Sequence, residues 1–180
     1  MRLRANSSTL ELEQWCRERG IGDGRVTARC NRSASRRLLD KDSLNALMDF
    51  AGENIAHRCV QLVTAGTVLV DADNWYFIDR LTRNMQRKLE TTDISFGRVI
   101  AGLRPRRRTF LVKLCTLAEL EAAHEHREFH AWESDSIRPD HVFEHRALVH
   151  LPDGRPLAVV HERYRATLLS EHFVPVSGRR

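Results

Sequence analysis

The sequence has no cysteine pair at metal-binding spacing. Cys16, Cys30, Cys59 and Cys115 stand far apart, with no CxxC or CxxH among them. That argues against a zinc site and for reduced thiols in a cytoplasmic protein. There is no HExxH, and His126 and His130, at a four-residue spacing, sit in a charged stretch that reads as a connector. No apolar run approaches the roughly 20 residues of a membrane span, and MRLRANSST at the start lacks a hydrophobic signal core. Glycine and proline are sparse, 9 and 5 in 180 residues, and no repeat, low-complexity tract or linker stands out. With 42% hydrophobic residues the composition is that of one globular domain able to bury a core.

What is present begins with charge. The formal net charge of +5 favours anionic partners, nucleic acid or a small acid drawn into a positive pocket. The densest run, Arg104 to Arg108, has no interleaved aromatics and no docking motif around it. It reads as a solvated loop and strand edge rather than a nucleic-acid patch.

Periodicity then divides the chain. Residues 1–9 are polar and predicted to be disordered, residues 10–176 to form the domain, and residues 177–180 a loose tail. Leu10, Leu12, Trp15 and Cys16 give a helical pattern stopped by Gly20. Val26, Ala28 and Cys30 alternate as a strand, and Ser43 could cap a short helix over 44–50. Residues 53–63 and 68–78 flank the turn Thr64-Ala65-Gly66-Thr67 and predict a hairpin. Leu81, Met85 and Leu89 predict a helix, a second short helix spans 96–103, and a strand runs over 109–114. Residues 116–138 begin helical and become irregular. The last hairpin, 142–168, closes on Pro152-Asp153-Gly154-Arg155-Pro156, a strong turn signal. The sum is an α+β domain: a mostly antiparallel sheet of about six strands with helices on one side.

Two charges break the apolar alternation. Arg58 shares its strand face with Ala56, Val60 and Leu62, and Glu162 shares its own with Ala158, Val160 and Tyr164. The opposite face of that last strand, Val159, His161, Arg163 and Arg165, is mostly charged and reads as solvated. A charge on a core-directed face needs a partner or a role. Arg58 and Glu162 are therefore either a ligand site or a buried structural ion pair.

Four stretches carry a family resemblance. They are Arg58-x-Val60-x-Leu62-x-x-x-Gly66-x-x-Leu69, its continuation to Leu81, the turn Thr92-Asp93-Ile94-Ser95-Phe96-Gly97-Arg98, and Asp153-Gly154-Arg155-Pro156-Leu157 followed by Glu162-x-Tyr164. In order and spacing these resemble chorismate pyruvate-lyase and its relatives, whose fold also serves the effector-binding domains of GntR-type regulators. Ser95 and Phe96 stand where the lyase turn has proline and leucine, and a one-residue shift brings Glu162 onto the family acid.

The resemblance implies a cofactor-independent lyase, needing no metal, that eliminates pyruvate from chorismate or a related substrate to leave a hydroxybenzoate. The partner would be a small aromatic or cyclohexadiene carboxylate, not nucleic acid or membrane. Arg58 would hold the carboxylate through its planar fork. Glu162, its pKa raised by burial, would act as acid/base. The backbone at Phe96 and Gly97 would bind the far end, with Val60, Tyr76 and Val160 as apolar lining. The alternatives are a domain that binds and senses a small aromatic acid without turning it over, and a divergent lyase, dehydratase or isomerase on another carboxylate.

Overall fold

The first helix, α1 (Ser8–Glu18), turns Leu12 and Cys16 into the core and starts two residues before the expected boundary. Its end is a Schellman motif: Ile21 N–H donates to Cys16 O at 2.8 Å and Gly20 N–H to Arg17 O at 3.2 Å. Gly20, at φ +66°, supplies the left-handed residue this closure requires. A computed structural model describes residues 8–31, 38–39, 43, 54–115 and 141–168. The expected helix over 44–50, the connector 116–138 and the terminal segments 1–7 and 169–180 lie outside the described residues.

The strands are β1 (Thr27–Cys30), β2 (Ile55–Thr64), β3 (Thr67–Phe77), β4 (Arg106–Leu114), β5 (His141–His150) and β6 (Pro156–Arg165). They form one sheet in the order β1-β2-β3-β6-β5-β4, every pairing antiparallel. The β2–β3 loop is two residues long, with Ala65 at φ +46° and Gly66 at φ +81°, as the twist of a tight hairpin demands. Between β3 and β4 lie α2 (Arg83–Thr91) and the short α3 (Phe96–Ile100). Thr82 caps α2, its hydroxyl accepting from Met85 N–H.

One face of the sheet packs on two apolar groups. Leu12, Cys16, Ile21, Val26, Val60, Leu62 and Tyr164 lie at the α1 end, and Leu89, Phe96, Ile100, Val149, Leu157 and Val160 at the α2–α3 end. The other face departs from expectation. His161 is 1% exposed and Arg163 5%, so the charged face of β6 is buried rather than solvated. Its polar groups are partnered within and across strands, arginines with carboxylates and histidines by hydrogen bonds to the same carboxylates. Arg163 pairs with Asp73, which also meets His57 at 2.8 Å; His161 meets Glu144 at 3.1 Å, and Arg146 joins Glu144 at 2.5 Å. Asp71, with Arg165 at 2.8 Å and His141 at 2.9 Å, continues the row. Charges matched in this way tolerate burial that a lone one would not.

Candidate functional site

A cleft opens where the two apolar groups meet, holding about 470 Å³ of space that is partly continuous with solvent. The first turn of α1 (Ser8, Thr9) forms one wall, and Ser95, Phe96, Gly97 and Ile100 the other. The floor is Val60, Leu62, Ala72, Asn74, Val149 and Val160, all on one face of the sheet, with Arg107 and Glu162 at its polar end.

Register explains the polar end. Ala72 is paired with Glu162, and Glu162 with His145, so the carboxylate sits in the middle of the sheet face. On β4, Arg107 and Thr109 point to the same face, opposite Val149 and Ala147. Arg107 Nη2 donates to Glu162 Oε2 at 2.5 Å. Ser8 Oγ donates to the same oxygen at 2.9 Å and Tyr164 OH at 3.3 Å. His145 completes the group, with Nδ1 2.8 Å from Arg107 Nη2 and Nε2 2.7 Å from Thr109 Oγ1.

Glu162 is 6% exposed, and burial alone would raise its pKa. The neighbouring Arg107 charge, with hydrogen bonds from His145, Arg107 and Ser8, outweighs burial and holds it at about 2. The raised value expected from its apolar face is therefore reversed, and Glu162 is an ionised acceptor. Burial pushes the Tyr164 phenol well above its usual range, and the Glu162 charge adds to this. Two buried polar atoms on the cleft residues, Arg107 Nε and Ser95 Oγ, have no hydrogen-bond partner.

Arg58 lies on the same sheet face as Glu162, yet it does not line the cleft. Buried to 5% exposure, it donates from Nη1 to Ile94 O at 2.9 Å and from Nη2 to Thr92 O at 2.8 Å. Asp93 O accepts from Ala28 N–H at 3.2 Å, so three successive carbonyls of the turn before α3 are tied to the sheet. Arg58 thus positions the turn that carries Ser95 and Phe96. Tyr76 also stands off the cleft, its ring 5.5 Å from that of Phe96 in the apolar group. Val60, Phe96, Gly97, Val160 and Glu162 do line it.

Arg107, Ser8, Asn74, Thr109 and His145 were not among the expected site residues. The signal for Arg107 was available: in a strand that includes Arg106, alternation sends residue 107 to the face opposite its arginine neighbours. Nothing in the sequence marks Ser8. Among the described residues no group of His, Cys, Asp or Glu is arranged to hold a metal ion, and no helix is long and apolar enough to cross a membrane.

Comparison with known proteins bears on the whole domain. No family model matches the chain. It is 31% identical over 170 residues to the uncharacterized protein y4mC of Sinorhizobium fredii (strain NBRC 101917 / NGR234), covering 91% of this chain and 70% of that protein. Among solved structures it is similar to PhnF from Mycobacterium smegmatis, with a TM-score of 0.59 and 13% identity over 93% of this chain and 67% of that one. The effector domain of PhnF aligns at a TM-score of 0.55 and 13% identity, covering 89% of each chain. The chain spans 58% of YydK from Bacillus subtilis, 15% identical over 79% of this chain at a TM-score of 0.46. The fold, a six-stranded antiparallel sheet with its helices, is shared with PhnF and its effector domain.

Proposed function

The chain belongs to the same family as the Sinorhizobium fredii protein y4mC, and from that premise and its fold we propose that it is a small-molecule-binding domain of the effector-sensing kind. Its ligand occupies the cleft between α1 and α3, and it works in the cytoplasm. One observation carries this reading: a buried, ionised Arg107–Glu162 pair faces a partly apolar cleft in which Arg107 Nε and Ser95 Oγ lack partners. Buried donors without acceptors are costly, by roughly 1–3 kcal/mol each. A ligand offering acceptors there recovers that cost, while Val60, Phe96 and Val160 cover its apolar body.

The experiment is a thermal-shift and calorimetric screen of the purified chain against small cyclic acids, alcohols and sugars, repeated with Glu162→Gln. Binding that Glu162→Gln abolishes or weakens at least tenfold supports the reading. Binding indifferent to that change, or none at all, refutes it.

A second reading is elimination of pyruvate from chorismate, favoured by Arg58 and Glu162 sharing one sheet face. An ionised Glu162 would there accept a proton or a hydroxyl hydrogen bond rather than donate. Pyruvate release with a matching aromatic product, from chorismate and no added cofactor, would establish it.

A further inference from the structure

The polar end of the cleft already holds a group from the protein itself. Ser8 is 4% exposed, and its Oγ both donates to Glu162 Oε2 at 2.9 Å and accepts from Arg107 Nη1. A hydroxyl is the neutral group that performs both functions at a single atom. A carboxylate in the same place would accept from Arg107 but face the Glu162 carboxylate with nothing to donate.

Charge points the same way. Among the described residues that line the cleft, Arg107 is the only cation and Glu162 the only anion, so the pair is neutral as a unit. Glu11 on α1 adds a further negative charge that Arg107 senses. Arg58, which does not line the cleft, gives both terminal nitrogens to the carbonyls of Thr92 and Ile94, leaving only its Nε without a partner. An incoming carboxylate would make the buried site net negative, beside a carboxylate held ionised. An incoming hydroxyl leaves the charge unchanged.

Spare bonding capacity extends the pattern. Arg107 Nε and Ser95 Oγ lack partners, and Glu162 Oε1 has only Arg107 Nη1 at 3.5 Å. These supply donors and an acceptor for further hydroxyls next to the apolar floor. Resting on the cleft-binding function proposed above, we infer that the ligand is an uncharged, polyhydroxylated molecule. One of its hydroxyls replaces that of Ser8 between Arg107 and Glu162, displacing the first turn of α1.

The test uses matched pairs of probes on the full chain: D-glucose against D-glucuronate, and benzyl alcohol against benzoate, titrated by ligand-observed NMR. The neutral member of a pair should bind more tightly than its carboxylate counterpart. Ser8→Ala removes the internal competitor and should tighten binding of the neutral probe about tenfold, the equivalent of one hydrogen bond of about 1.4 kcal/mol. Ser8→Thr keeps the hydroxyl and should retain wild-type affinity, which separates competition from a general loosening of α1. Carboxylates binding more tightly, with an affinity that Glu162→Gln shifts in either direction but Ser8→Ala does not, would overturn the inference and leave the cleft reading standing. Binding of neither class, or binding unmoved by Glu162→Gln, would overturn both.

Discussion

Replacing Arg107 with methionine would keep most of the side-chain volume and remove the cation that holds Glu162 ionised. The fall of the Glu162 pKa from 4.5 to about 2, at about 1.36 kcal/mol per pH unit, corresponds to about 3 kcal/mol in favour of the charged form. Removing one partner of a buried pair costs about 3–5 kcal/mol in general, in agreement. Arg107→Met is therefore expected to lose about 3 kcal/mol at pH 7, read from urea denaturation. The pH dependence gives a sharper test. In the wild type this contribution is complete above pH 4.5 and is lost as pH falls through about 2. In the variant, burial without Arg107 raises the folded pKa above 4.5, so acidification from pH 7 towards 4.5 lets Glu162 bind its proton in the fold and stabilises the variant relative to wild type. The gap between the two proteins should narrow over that range. Adding Glu162→Gln to Arg107→Met should recover much of the loss at pH 7. A gap below about 1 kcal/mol at pH 7, or one of the same size at pH 7 and 4.5, would refute the reasoning.

Three further outcomes can be measured. Arg58→Ala strips two charge-assisted bonds from the turn before α3 and should cost about 3 kcal/mol while speeding amide exchange at Phe96 and Gly97; Arg58→Lys, which lacks the planar fork, should recover only part, and an unchanged denaturation midpoint would exclude the anchoring role. Burial lowers the His161 pKa below 6.5, despite the Glu144 hydrogen bond that opposes it, so the unfolded chain takes up the proton first; stability should fall as pH drops below 6.5, and His161→Gln should flatten that slope. Ala65→Asn places a residue that tolerates positive φ in the β2–β3 loop and should raise Tm by about 2–4 °C in calorimetry, whereas a lowered Tm would show the loop is not strained.

The two long hairpins were legible in the sequence because each strand carries its own alternation and each turn its own glycine. Arg58 and Glu162 were legible as anomalies for the same reason: one strand suffices to show a charge among apolar neighbours. Their partners were not. Arg58 is satisfied by main-chain oxygens at 92 and 94, which no side-chain identity reveals. Glu162 is neutralised by a residue 55 positions away, inside a run of arginines whose common charge hides the fact that alternate members face opposite ways. The reversed expectation for its pKa follows from that missing partner. On His161 and Arg163, polarity suggested exposure; cross-strand pairing with Glu144 and Asp73 depends on β3 and β5 together and cannot be seen in β6 alone.

The charged row on the back of the sheet also settles which way the last two strands can align. Sliding β5 along β6 by two positions preserves the inside–outside pattern, so the apolar core would not detect the error. The side chains at 144, 146, 161 and 163 would. The native alignment sets Glu144 against Arg163 and Arg146 against His161. A shift one way brings Arg146 opposite Arg163, two like charges out of water, and a shift the other way leaves Arg146 against Val159. Misaligned pairings are thus penalised by the same ions that the correct one leaves satisfied, which keeps the carboxylate at 162 in line with the cleft.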